Sequence, residues 1–273
     1  MSSKDSGKLA VIGCGTMGGA ILSGLLKSGQ FAPTGVLATI KPGDARPAVE
    51  AEYGVEVLTD NLEACRRASI VLVSLKPHHM HAVLDVPAMR EALGGKLVIS
   101  VAAGVRLSQL AQWLPETALV RAMPNTPCLL GAGMTVIAPG PRATAEHLEV
   151  AQTIFRSVGR VVTLDDKHMD AVTSLNGSGP AFVYVVLEAL ADGGVMMGLP
   201  RDVALEIAAQ VTLGAARMVL ETGAHPAALK DQVTTPAGST IAGLLTMEDG
   251  RIRSVLARAI QEAATVASSL GKD

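Results

Sequence analysis

A chain of 273 residues, 49% apolar and 18% charged, is long enough for two domains that each bury a sizeable core. Its formal charge is -2, with no basic run and no aromatic-plus-basic platform, which sets nucleic-acid partners aside. The polar opening over residues 1–7 and the short, glycine-broken apolar run behind it read as neither a signal peptide nor a membrane span. Three widely spaced cysteines (Cys14, Cys65 and Cys128) without a CxxC point to a reduced, cytoplasmic protein.

Residues 8–12 form a continuous apolar run that stops at glycines, the pattern of a strand buried on both faces. Helical periodicity follows over 17–27 and ends at Gly29, and residues 35–39 read as the next strand. Further strands are predicted at 70–75, 97–100, 119–122, 134–138 and 160–164, with helices between most of them, such as 61–68 and 107–114. Alternation of this kind gives βαβ units and a mostly parallel, doubly wound sheet. Past Asp165 the texture changes to long Ala- and Leu-rich segments at helical spacing. Pro180 and Pro200 stand at first-turn positions there, and Gly198 and Gly223 at helix stops. The expected fold is α/β: a sheet domain over 1–165, then an all-helical domain over 166–273 joined without a low-complexity linker.

Gly13-Cys14-Gly15-Thr16-Met17-Gly18 is a GxGxxG placed after the first strand and opening the first helix. In that context the first glycine permits the tight turn and the second lets a pyrophosphate approach the backbone. The third lets helix pack on strand, and the helix N-terminus supplies N–H donors. This is the phosphate loop of a Rossmann-type dinucleotide domain. Enzymes that prefer NAD place an acid about 20 residues beyond the glycines. Here the second strand ends Thr39-Ile40-Lys41, a hydroxyl and a cation that suit the 2′-phosphate of NADP.

Three segments end predicted strands and would rim the ligand crevice: Ser74-Leu75-Lys76-Pro77-His78, Ser100-Val101-Ala102-Ala103-Gly104-Val105 and Arg121-Ala122-Met123-Pro124-Asn125-Thr126-Pro127. Three more follow, beginning Asn176-Gly177-Ser178-Gly179-Pro180-Ala181 and Ala189-Leu190-Ala191-Asp192-Gly193-Gly194 and ending with Leu229-Lys230-Asp231-Gln232-Val233-Thr234-Thr235-Pro236-Ala237-Gly238-Ser239-Thr240. Together they resemble pyrroline-5-carboxylate reductase over essentially the whole chain. The resemblance implies NADPH-dependent reduction of the C=N bond of Δ1-pyrroline-5-carboxylate to L-proline, with NADH as a second donor. It places Ile12, the glycine loop, Ser74, Leu75, Lys76 and Pro77 along the cofactor, Ala102 and Ala103 near the nicotinamide, and Thr39 and Asn61 at the adenosine phosphate. It assigns the substrate to Thr235, Gly238, Ser239 and Thr240. It also implies a homodimer at least, extending to a decamer as a ring of dimers. Asn176 departs from the serine more usual there, and histidines at 79 and 81 enrich the turn after Pro77.

The residues support the same chemistry when read alone. Residues 236–240 precede an apolar helical pattern and so form a helix start, whose free N–H groups attract a small carboxylate. Thr235, Ser239 and Thr240 add adjustable donors; the alternative use for one of them is ordinary N-capping. A cyclic imine needs face-to-face positioning, exclusion of water and a hydrogen bond to nitrogen, for which Thr240 is the catalytic candidate. Two other readings stand beside this one. A 3-hydroxyacid dehydrogenase would need a lysine on the first long helix of the second domain, where residues 180–197 contain no Lys or Arg. A non-catalytic NADP sensor would bind cofactor without turnover.

The triplet His78, His79 and His81 lacks a second cluster of ligand spacing, so no metal is expected. Asp165, Asp166, His168 and Asp170 suit a charged junction between domains. Small residues at helical spacing over 189–197 and 208–218, with aromatics at 2%, suit close helix packing and an intertwined dimer. In such a dimer the loop at Thr240 is expected to face the other subunit's nicotinamide. The expected partners are therefore a small-molecule substrate and further copies of the chain, with no nucleic acid and no membrane.

Overall fold

The structure is a computed structural model and describes residues 8–269; the polar opening at 1–7 lies outside it, as do residues 270–273. The first half builds one eight-stranded sheet. Its strands are β1 (Leu9–Ile12), β2 (Val36–Thr39), β3 (Glu56–Leu58), β4 (Ile70–Val73), β5 (Leu97–Ser100), β6 (Ala118–Met123), β7 (Gly133–Pro139) and β8 (Gly159–Thr163). They lie in the order β3-β2-β1-β4-β5-β6-β7-β8, every neighbouring pair parallel except β6 with β7. The crossovers carry α1 (Thr16–Lys27), α2 (Arg46–Tyr53), α3 (Asn61–Arg67), α4 (Pro77–Leu84), α5 (Pro87–Leu93), α6 (Leu107–Trp113) and α7 (Ala145–Arg156).

Successive side chains of a strand point to opposite faces, so a continuous apolar run feeds two cores at once. Ala10 and Ile12 join Val71, Val73 and Val98 on one face. Leu9 and Val11 join Leu72, Ile99 and Phe155 on the other, against Ile21 and Leu22 of α1. The predicted strand at 97–100 coincides with β5, and the others agree to within two residues at each end. The edge strand β3 was not foreseen. It offers only Val57 and Leu58 as buried residues, while its Glu56 is exposed and pairs with Arg67 of α3.

Contacts divide the described residues into two compact units. One runs to Gly177 and includes the end of the last helix from Ala263; the other is Ser178–Glu262. In the first unit, the segment after β8 is pinned by charge and amides. The Asp165 carboxylate accepts from the Lys167 N–H, and the Asp166 Oδ1 accepts from Arg121 Nη1 at 2.9 Å. Arg121 is only 1% exposed, and its Nε and Nη2 have no partner among the described residues. Beyond α8 (Met169–Val172) the chain widens into a π-helical turn, Thr173–Ser178. Here Asn176 Nδ2 donates to the carbonyls of Met123 (2.8 Å) and Met134 (3.0 Å), and Asn125 Nδ2 donates to Asn176 Oδ1 (3.0 Å). Asn125 Oδ1 in turn accepts from the Met134 N–H at 2.9 Å. Two amides thus tie the turn to the ends of β6 and β7.

The second unit is helical: α9 (Gly179–Met196), α10 (Arg201–Thr222), α11 (Pro226–Gln232), α12 (Ser239–Asp249) and the first part of α13 (Ile252–Ser269). Its buried positions on α9 and α10 are alanines (Ala191, Ala204 and Ala208), and a methyl placed on Gly194 would lie 3.1 Å from Ala204 Cβ. Small residues therefore let these helices touch closely, while the large ones face outward. Met196 and Met197 are 86% and 84% exposed, and Tyr184, Val185, Val211 and Leu213 are also exposed. By length and composition alone, α9 with the helical lead-in from Asp166, and α10, are apolar enough to cross a membrane.

Because removing either amide breaks part-buried hydrogen bonds and leaves the other amide short of a partner, Asn125→Ala and Asn176→Ala should each cost about 0.5–1.5 kcal/mol of stability. The double variant should cost less than the sum. Thermal unfolding at fixed protein concentration measures both; fully additive losses would show that the two amides do not act together.

Candidate functional site

Two groups of residues carry binding chemistry, one in each unit. In the first, β1 ends at the buried Ile12 and the chain turns at Gly13, which has φ of +88°. A side chain there would also meet the Ser74 carbonyl at 2.9 Å. The Ser74 N–H donates to the Ile12 carbonyl at 2.8 Å, so the end of β4 braces the same turn. A methyl on Gly18 would lie 2.3 Å from the Gly13 carbonyl oxygen, which is how closely α1 crosses the loop. Gly15 differs: a methyl there meets nothing within 4 Å, and it caps α1 without any side-chain hydrogen bond. The backbone N–H groups at the start of α1, around Thr16 and Met17, are thereby left facing an open side suited to a pyrophosphate. The cradle fits the group the sequence calls for.

A cleft of about 550 Å³ adjoins this loop, lined by Cys14, Gly15, Thr16, Val49, Glu52 and Tyr53 among others. Burial, then the charge of Glu52, pushes the Cys14 thiol up to about 11, so it stays neutral near pH 7. Burial, with a hydrogen bond to Glu52, pushes the Tyr53 phenol up to about 12. Neither group is an acid or base for chemistry at neutral pH.

At the end of β2 the Thr39 hydroxyl was expected to meet the cofactor's 2′-phosphate. The structure instead buries Thr39 to 1% exposure, with its Oγ1 accepting from the Gly13 N–H at 3.0 Å. The Cys14 N–H donates to the Thr39 carbonyl at 2.7 Å. Thr39 shapes the glycine turn from below, and the polar groups open to solvent in the segments after β2 and β3 include the exposed Lys41, Asp44, Thr59 and Asp60 and the half-buried Asn61. Asn61 opens α3 beside its cap Asp60, whose carboxylate takes the N–H groups of Leu62 and Glu63. Of the remaining expected cofactor residues, Leu75 is half-buried, and Lys76 and Pro77 are exposed at the start of α4. Ala102 is buried, with its N–H on Ser100 Oγ at 3.4 Å, and Ala103 is half-buried.

In the second unit, the Gly238 N–H closes a turn on the Thr235 carbonyl at 3.1 Å, with Ala237 held at φ of +57°. A methyl on Gly238 would lie 2.3 Å from Thr235 Oγ1. Gly238 is also the N-cap of α12, and no side chain caps that helix. The hydroxyls of Thr235, Ser239 and Thr240 make no hydrogen bond to any described residue, whereas the neighbouring Thr234 spends its own on the Lys230 carbonyl at 2.8 Å. Capping, the competing use for these hydroxyls, is therefore absent. Three donors and the first-turn N–H groups of α12 converge on one short stretch.

Sequence reasoning missed Asn125 as a brace, although it lies in a quoted segment, because amide partners separated by 51 residues leave no local signal. The histidines after Pro77 carry no metal set: among the described residues no group of three or more His, Cys, Asp or Glu is gathered.

Comparison with known proteins places these features in a family. Residues 166–270 match the family described as pyrroline-5-carboxylate reductase dimerisation, and residues 8–104 the one described as NADP oxidoreductase, coenzyme F420-dependent. A pyrroline-5-carboxylate reductase of Schizosaccharomyces pombe is 44% identical over 96% of this chain and 98% of its own. That of Escherichia coli is 38% identical over 97% and 98%. A solved pyrroline-5-carboxylate reductase from Coxiella burnetii superposes with a TM-score of 0.92 at 31% identity, covering 98% of this chain and 100% of that one. A Plasmodium falciparum pyrroline carboxylate reductase with NADP bound gives 0.85 at 27% identity, covering 97% and 98%.

The two glycines of the loop should separate binding from folding. Gly15→Ala should lower stability only by the small loss of a glycine cap, about 1 kcal/mol or less, and weaken NADPH binding about tenfold or more, because the methyl occupies the approach to the backbone. Gly18→Ala should lower stability itself. Nucleotide titration with a melting curve for each variant measures this, and equal NADPH affinity in Gly15→Ala and wild type would refute the placement.

Proposed function

The chain belongs to the pyrroline-5-carboxylate reductase family, and from that premise we propose that it reduces the C=N bond of Δ1-pyrroline-5-carboxylate to L-proline with NADPH. The observation that carries the reading is the uncapped start of α12, with the hydroxyls of Thr235, Ser239 and Thr240 unclaimed.

When bound, NADPH would supply hydride to the ring carbon of the imine, and water would supply the proton that the ring nitrogen takes up as C=N becomes CH–NH. The glycine loop, from Ile12 through Gly18, holds the pyrophosphate; Ser74, Leu75, Lys76, Pro77, Ala102 and Ala103 line the remaining length, and Asn61 serves the adenosine phosphate. At α12 the N–H groups following Gly238 hold the substrate carboxylate, a charge that the helix start favours. Thr235 and Ser239 complete that contact. Thr240 donates its hydroxyl hydrogen bond toward the ring nitrogen, orienting the C=N bond without a strong acid. NADH serves as a weaker donor, since nothing at the end of β2 is an acid placed for a ribose 2′-hydroxyl.

The dehydrogenase alternative needs a lysine that α9 does not have: its only ionisable side chains, apart from the Tyr184 phenol, are Glu188 and Asp192. The outward-facing apolar residues of α9 and α10 are covered by a second copy rather than by lipid, in keeping with the dimerisation family matched over 166–270. We extend this to a ring of dimers, a decamer, in the cytoplasm, without a nucleic-acid partner. Functionally we divide the chain into a cofactor domain over 1–165 and a substrate and dimerisation domain over 166–273.

Following NADPH oxidation at 340 nm with pyrroline-5-carboxylate, repeated with NADH, tests the activity. Thr240→Ala should lower kcat/KM about tenfold to a hundredfold while NADPH affinity and melting temperature hold. Full turnover in that variant would remove Thr240 from the site; cofactor binding with no turnover in the wild type would favour the sensor.

A further inference from the structure

The cations gathered at the ends of β2 and β4 are not used by the reaction itself. These strands flank β1 on either side, so the segments leaving them are neighbours across the glycine turn. Lys41 follows β2. Lys76 caps α4, and His78 and His79 occupy its first turn, with the His79 N–H donating to the Lys76 carbonyl at 2.9 Å. The two imidazole rings stand 4.1 Å apart between centroids, tilted by 58°, and all four side chains are exposed.

We propose that His79, acting with Lys41 and Lys76, is a specificity-determining group that takes up one proton from solvent when the 2′-phosphate of NADPH binds. This rests on the cofactor reading above and adds a residue and a proton to it. In the free protein, some loss of hydration by the exposed ring, then the charges of His78, Lys41 and Lys76, hold the His79 imidazole below its ordinary value. Those three are the charged or titratable groups that act on it, and no carboxylate is among them. His81, two residues further on, differs in having Asp85 at 3.1 Å. A phosphate dianion amid these cations reverses the balance and favours the imidazolium. NADH brings no such charge.

The sign follows from linkage. Because the phosphate raises the imidazole's proton affinity in the complex, the extra affinity is present below the complexed value and fades as pH rises through it. The preference for NADPH over NADH should therefore widen as pH falls. The lower limit is about pH 6.5, where the phosphate is still mostly dianionic.

Fluorescence titration gives the Kd of each nucleotide between about pH 6.5 and about pH 8.5. Calorimetry in buffers of different ionisation heat counts the protons taken up. In the wild type the ratio of NADH Kd to NADPH Kd should be about fivefold to tenfold larger at the acid end, with proton uptake for NADPH only. His79→Gln should flatten the ratio and lose the uptake, while His81→Gln should behave as wild type. A ratio independent of pH in the wild type, or uptake that survives in His79→Gln, overturns the proposal and leaves NADPH as cofactor. Failure of both nucleotides to bind removes the cofactor reading as well.

Discussion

The cofactor half of this protein depends on how closely one helix can cross one turn. With the Gly13 carbonyl only 2.3 Å from where a Gly18 methyl would stand, α1 can cross the loop this closely only with glycine at position 18. Thr39 from β2 and Ser74 from β4 hold the turn from two sides by hydrogen bonds of 3.0 and 2.8 Å. The three adjacent strands β2, β1 and β4 therefore do more than form a core. They fix a backbone whose free N–H groups point one way, and they set Lys41 and Lys76 at the ends from which charge can reach a phosphate. Preorganised donors of this kind need no rearrangement when an anion arrives.

The helical half follows the opposite packing rule. A domain usually hides its large side chains and shows its small ones, but α9 and α10 bury alanines against each other and present Tyr184, Val185, Met196 and Met197 outward. An exposed apolar surface of this extent is stable in water only when something covers it. The match of residues 166–270 to a dimerisation family agrees with a cover made of protein. The low charge content and the scarcity of aromatics have the same origin. The helices must approach closely within one copy and still carry enough aliphatic surface for the next.

Features written in contiguous residues were legible from the sequence; those made by distant partners were not. The run 97–100 read as a strand because both faces of β5 are buried, so nothing interrupts its apolar pattern. β3 was missed because an edge strand with two buried residues has almost no pattern to show. The glycine loop was found because its geometry demands glycine at fixed spacing. Thr39 was read as a ligand contact from its place at a strand end, yet only the fold shows its hydroxyl turned inward to Gly13. The pair Asn125 and Asn176 is similar, since an amide's partner can lie anywhere in the chain. The cations around His79 come from two separate segments, and only the order of strands in the sheet makes them neighbours.

The substrate stretch shows a local cost left in place. Ala237 adopts a left-handed conformation that an L-residue with a Cβ takes at a penalty of about 1 kcal/mol or more. The adjoining helix starts at a glycine rather than at a side-chain cap, a smaller cost of about a few tenths of a kcal/mol. Serine and threonine stand at the positions next to that cap, so the protein has the chemistry to satisfy the helix end and does not use it. Evolution toward stability alone would have closed this end. The turn holds Gly238 against Thr235 and leaves the exposed Thr235 and Ser239 and the half-buried Thr240 without a hydroxyl hydrogen bond among the described residues, an arrangement that suits an anion. The remaining requirement, a hydrogen bond to a neighbouring nitrogen, is one that a neutral hydroxyl can meet.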